Sequence, residues 1–169
     1  MPEEREQAEA MLEGDGSDWP PVADRVRQAR ERVGLSVAEV MDRLGMSGTE
    51  YQDVEWHDDE VFTSLSVKEI AALAGILKMT VSEMLFGSRA TGLAPPVSYA
   101  EIARRLEELA RSEKTTLDEL GNRIGWDLDP IVRNPEALGD LNIPGLHDIC
   151  KPLGLDWLSI LELPGGKTG

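Results

Sequence analysis

Residues 36–45, SVAEVMDRLG, and residues 116–125, TLDELGNRIG, decide how this chain is read. Each opens on a hydroxyl residue followed three positions later by glutamate, Ser36 with Glu39 and Thr116 with Glu119. In that pairing the hydroxyl and the carboxylate satisfy backbone amides left free at a helix start. Each stretch closes on a glycine, Gly45 or Gly125, as helices that end in left-handed backbone do. Two helices of equal length with the same punctuation, 80 residues apart, imply a repeated unit.

The repeat extends in both directions. Upstream, Val22, Val26, Ala29 and Val33 recur at helical spacing and are answered by Ile102, Leu106 and Leu109. The offset of 80 holds from Val26/Leu106 through Leu44/Ile124 to Ser47/Asp127 and then becomes 76, pairing Ser66/Asn142, Ile70/Leu146, Leu73/Ile149, Ala74/Cys150 and Leu77/Leu153. Thr80 with Glu83 starts VSEMLFG, and Asp156 starts WLSILEL. No strand alternation occurs, so the expected fold class is all-α, with five short helices in each of two tandem units. The breaker GSRATGLAPP at residues 87–96 separates them. The expected organisation is an acidic flexible tail at 1–20, a first domain at 21–88, a linker at 89–97, a second, degenerate domain at 98–164 and a C-terminal tail at 165–169.

The chain has 169 residues with 32 acids against 17 bases, a formal charge of −15, which opposes nucleic-acid binding. One cysteine, Cys150, excludes an internal disulfide, and with only His57 and His147 no metal site is expected. No cofactor loop is found either, because PGGKTG at 164–169 has Leu161 where a phosphate loop needs its first glycine. No apolar run approaches the roughly 20 residues of a membrane span, and the acidic amino terminus is unlike a signal peptide, so a cytoplasmic protein with no membrane partner is expected.

VRQARERVGLSVAEVMDRLGMSGTEYQDVE followed by SLSVKEIAALAGILKMTVSEMLFG resembles the XRE, or lambda-repressor-like, helix-turn-helix family over residues 22–87, and residues 98–163 resemble a degenerate copy. The resemblance implies a five-helix domain whose third helix enters the DNA major groove. It would make Thr49, Gln52 and Arg43 in the first copy, and Arg133 in the second, the DNA-contacting residues of a transcriptional regulator acting as a covalent pseudo-dimer. Val37 and Leu117 stand where the family commonly has a glutamine contact, and neither can donate a hydrogen bond.

The stretch EYQDVEWHDDE at 50–60 carries six acids and no lysine or arginine on and beyond that third helix, against the cationic surface that phosphate binding requires. The function expected first is therefore a non-enzymatic module that recognises a basic protein, as an immunity protein or antitoxin does; DNA is the alternative partner. Its surface is read as Glu50, Asp53, Glu55, Asp58, Asp59 and Glu60 around Trp56, whose ring either anchors a partner or folds back over its own helices. Trp126 and Trp157 are read as packing residues, Cys150 as an inert core thiol and His147 as non-catalytic. Arg25, Arg27, Arg30 and Arg32 are read as a solvated face with local pairs such as Arg27 with Glu31. Neither catalysis nor a small-molecule substrate is expected.

Overall fold

Five helix starts carry the full hydroxyl and glutamate box among the described residues, and Ser98 with Glu101 forms only its hydroxyl half. The computed structural model describes residues 2–14 and 18–162, over which the chain is all-helical. At Ser36, Ser66, Thr80 and Thr116 the hydroxyl accepts from the backbone amide three residues on, while Glu39, Glu69, Glu83 and Glu119 accept from the cap amide. At Ser47 the Glu50 carboxylate accepts from both the backbone amide, 2.9 Å, and the hydroxyl, 2.6 Å. These caps start α3 (Val37–Leu44), α4 (Gly48–Trp56), α6 (Val67–Ile76), α7 (Val81–Phe86) and α9 (Leu117–Ile124). The remaining helices are α1 (Pro2–Leu12), α2 (Val22–Arg32), α5 (Glu60–Thr63), α8 (Tyr99–Ser112), α10 (Asp129–Arg133), α11 (Ile143–Cys150) and α12 (Trp157–Leu161), with 3₁₀ segments at Pro135–Asp140 and Lys151–Leu153.

The capping hydrogen bonds hold Glu39, Glu50 and Glu83 below the ordinary carboxylate value of 4.5, and Glu119 is held down first by the Thr115 hydroxyl and then by the Thr116 cap amide. A depressed folded-state pKa means that the unfolded chain binds more protons in the window between the two values. Stability from these caps is therefore full above pH 4.5 and drains away as pH falls through the lower folded-state values. Melting temperatures should drop between pH 5 and 3, and a variant with Glu39→Gln, Glu83→Gln and Glu119→Gln should show a smaller drop than wild type.

Helix bounds recur at the offsets read from the sequence: α3 and α9 differ by 80 at both ends, and α6/α11 and α7/α12 start 76 apart. Left-handed residues recur likewise, at Gly34/Lys114 (φ 74 and 55), Gly45/Gly125 (φ 69 and 88) and Lys78/Gly154 (φ 56 and 63). Between the third and fourth main helices each half carries an extra turn, α5 or Pro135–Asp140, which the five-helix expectation lacks.

Where α3 meets α4 the two halves exchange volume. Met41 on α3 packs over Gly48, whose added Cβ would lie 3.3 Å from the Met41 methyl, whereas in the second half Gly121 faces Leu128. A Cβ at Gly121 would lie 2.5 Å from the Trp126 carbonyl oxygen, a backbone atom. Gly48→Ala should therefore leave the melting temperature nearly unchanged, because a methionine end moves aside. Gly121→Ala should lower stability by about 1 kcal/mol or more, as overpacking does; equal melting temperatures for the two variants would refute this packing.

Buried apolar residues of both halves form one continuous cluster, running from Val22, Tyr51, Phe62 and Leu85 to Ile102, Leu146 and Ile160. The halves also complete each other's helix ends. Val67 N donates to Leu141 O at 2.7 Å and Ser82 N to the Glu162 carboxylate at 2.6 Å, so free amides at the starts of α6 and α7 are capped from the other half. Asn142 Nδ2 donates to Thr63 O at 2.8 Å, and Trp157 sits edge-on to Phe86 with centroids 6.3 Å apart.

The acidic flexible tail expected at 1–20 requires correction over Pro2–Leu12, which is helix α1. Ala8 is fully buried, Glu4 accepts from Arg25 at 2.6 Å, Arg5 donates to Asp156 at 2.8 Å and Glu13 pairs with Lys151 at 2.6 Å, so this helix bridges both halves. Trp19, which the sequence reading passed over, stacks on Phe62 at 4.5 Å. Residues 15–17 of that expected tail, the tail expected at 165–169 and the PGGKTG stretch lie outside the described residues.

Candidate functional site

Helix α4 has one face packed against the core and one face turned outward. Tyr51, Val54 and Glu55 point inward, and Glu55 is only 5% exposed. A carboxylate removed from water needs a paired cation. Arg30 on α2 supplies it in a two-pronged contact, Nε to Oε1 at 2.6 Å and Nη2 to Oε2 at 3.0 Å, while its Nη1 donates to Leu35 O at 3.0 Å. The Tyr51 hydroxyl is buried beside this pair without a hydrogen-bond partner; burial first, then Glu55, pushes its pKa up.

The outward face carries Thr49, Gln52, Asp53 and Trp56, spaced as one helical stripe. Trp56 is 66% exposed, the one large hydrophobic so exposed among the described residues. Its ring does not fold back over the core, and it lies in the last turn of α4 rather than in a connecting segment. His57 follows, exposed and extended.

Three of the six acids of 50–60 are engaged within the fold. Glu55 is removed from the surface by Arg30, Glu50 closes the cap at Ser47, and Asp58 Oδ1 accepts from Ala23 N at 3.0 Å, capping the start of α2 from a distance. Asp53, three residues before Trp56 on α4, and Asp59 and Glu60, at the start of α5, make no side-chain hydrogen bond or ion pair among the described residues and are half-buried. Of the seven residues expected at this surface, Trp56, Asp53, Asp59 and Glu60 are those whose side chains have no capping or pairing role among the described residues.

Of the DNA-contact candidates, Arg43, Thr49 and Gln52 are exposed on α3 and α4, and Arg43 has no ion pair among the described residues. In the second half the counterpart helix α10 has five residues, buries Ile131 and pairs Arg133 with Asp129 at 2.8 Å. Its 3₁₀ continuation packs on α6 and α8. Only the first half presents a full-length third helix.

The arginines of α2 are not a uniformly solvated face: Arg25 donates to Leu85 O at 2.6 Å and to Glu4, Arg30 holds Glu55, and Arg27 pairs with Asp24 rather than Glu31. Trp157 is buried; Trp126 lies over Gly145 and donates to Asp148 at 3.1 Å. Burial pushes the Cys150 thiol up to about 12, with Asp156 adding to the shift, so it carries no nucleophilic thiolate at neutral pH. His147 lies 3.5 Å from both Glu13 and Asp148. Among the described residues no cluster of three or more His, Cys, Asp or Glu could hold a metal ion, and no helix is long and apolar enough to cross a membrane.

Compared with protein-family models, curated proteins and solved structures, the chain finds no match.

Proposed function

We propose that the chain is a non-enzymatic, cytoplasmic protein-binding module built from two tandem helix-turn-helix units of the lambda-repressor-like kind, recognising a basic protein through the outward face of α4. The recurring helix bounds and left-handed turns support the tandem reading. The single observation that carries the function is the exposure of Trp56, at 66%, on a helix whose opposite face is locked by the Arg30–Glu55 pair. A rigidly presented aromatic with carboxylates beside it supplies an apolar centre and a charged rim. Asp53, Asp59 and Glu60, without a side-chain partner among the described residues, select for lysine and arginine on the other side. Neutralisation of a toxin or other nucleic-acid-directed protein is a role of this chemistry, since such proteins carry basic grooves.

DNA recognition is the second reading, favoured by the exposure of Arg43, Thr49 and Gln52. A pseudo-dimer on two half-sites would need α10 to read a groove, and its five residues with Arg133 already paired work against that. Titration of the full chain with the basic protein that co-purifies from its host, and separately with duplex DNA at low and physiological salt, distinguishes the two. The first reading expects saturable protein binding and DNA binding that collapses as salt rises; tight, sequence-selective DNA binding at physiological salt would overturn it.

A further inference from the structure

We propose that the cleft between α2 and the turn joining α6 to α7 is a binding site for a phosphate-bearing small molecule, held by Arg32, Lys78 and Gln28. The cleft is an open, mainly polar groove of about 480 Å³. Gln28 and Arg32 stand one turn apart on α2, and Lys78 lines the same space from the other wall. None of the three exposed side chains has a hydrogen bond or ion pair among the described residues, and the one carboxylate lining the same cleft is Glu83.

The other charges around the cleft are already committed. Arg25, on its floor, donates to Leu85 O and Glu4, and Gly87 lies close enough that an added Cβ would come 3.3 Å from the Arg25 Nε. Glu83 accepts from Thr80 N at 2.7 Å and from Arg89 at 3.2 Å. In a chain with 32 acids against 17 bases, two unpaired cations facing one concave space are a local exception. A dianion would supply the counter-charge both lack, and guanidinium, ammonium and amide donors together match the several oxygens of a phosphate.

The repeat supplies an internal comparison. Gln28, Arg32 and Lys78 correspond to Glu108, Ser112 and Gly154, so the second half keeps the helices and the left-handed turn without the cations. The scaffold therefore does not require Arg32 or Lys78. Lys114 stands opposite Gly34 in the same way, yet with Arg111 it lies outside the cleft, which makes that pair a matched control.

The test follows the Gln28 side-chain amide and Arg32 Nε–H signals of the ¹⁵N-labelled full chain as pyrophosphate, inorganic phosphate or citrate is added at constant ionic strength. Saturable shifts below about 10 mM are expected for the two phosphate probes, with citrate weaker. An Arg32→Ala/Lys78→Gly variant should weaken pyrophosphate binding at least about tenfold, and Arg111→Ala/Lys114→Gly should not. Glycine suits the left-handed backbone at 78, and an unchanged melting temperature checks that the variant is folded. No saturation by 10 mM pyrophosphate, equal weakening by both variants, or citrate binding as tightly as pyrophosphate would each overturn the proposal.

Discussion

Arg30→Ala should destabilise the chain by about 3–5 kcal/mol, the range found when one partner of a buried pair is removed. The substitution strands Glu55, 5% exposed, beside a Tyr51 hydroxyl that has no partner of its own. Such a loss is a large fraction of the roughly 5–15 kcal/mol by which domains are stable. Arg30→Met with Glu55→Leu should recover most of it, because the charge and its counter-ion leave together and the volume stays. Urea unfolding of the three proteins measures both effects. A cost below about 1 kcal/mol for Arg30→Ala would mean that water reaches Glu55 and that α4 is not clamped from behind.

Trp56→Ala should leave the melting temperature within about a degree of wild type, since most of the ring already faces water, yet weaken binding of the basic partner by about 2 kcal/mol or more, roughly 30-fold. Asp53→Lys and Glu60→Lys should mainly slow association and flatten its salt dependence, because rim charges act on encounter. Asp58→Lys should behave differently: it removes the acceptor of Ala23 N, so its first effect is on the start of α2 and on stability. Surface plasmon resonance with the co-purified partner separates the association and dissociation rates. Unchanged dissociation in Trp56→Ala would move the centre of the site elsewhere.

Local chemistry was legible and remote pairing was not. The caps at Ser36, Thr80 and Thr116, and the glycines closing α3 and α9, lie within one turn of what they satisfy. Summed charge hid the partners: Arg30 and Glu55 are 25 residues apart, Ala23 and Asp58 are 35 apart, and Arg5 and Asp156 are 151 apart. Counting acids over 50–60 therefore overstated the free charge by the three carboxylates that cap or pair. Helix α1 was misread for a related reason. Its glutamates suggested an unpaired arm, although Glu3 and Glu4 in the first turn favour a helix and Glu4, Arg5 and Glu13 find opposite charges far along the chain. Trp56 was legible as a candidate, but not its exposure, which depends on Tyr51 and Val54 filling the inward face of the same helix.

The most direct measurement places a photo-crosslinking amino acid at position 56, and as a control at exposed position 111, and identifies what each captures in the host cell. Position 56 should capture a discrete basic protein, position 111 should not, and Asp53→Lys with Glu60→Lys should reduce the yield. Capture of a specific DNA fragment at position 56, or equal yields at the two positions, would contradict the proposed function.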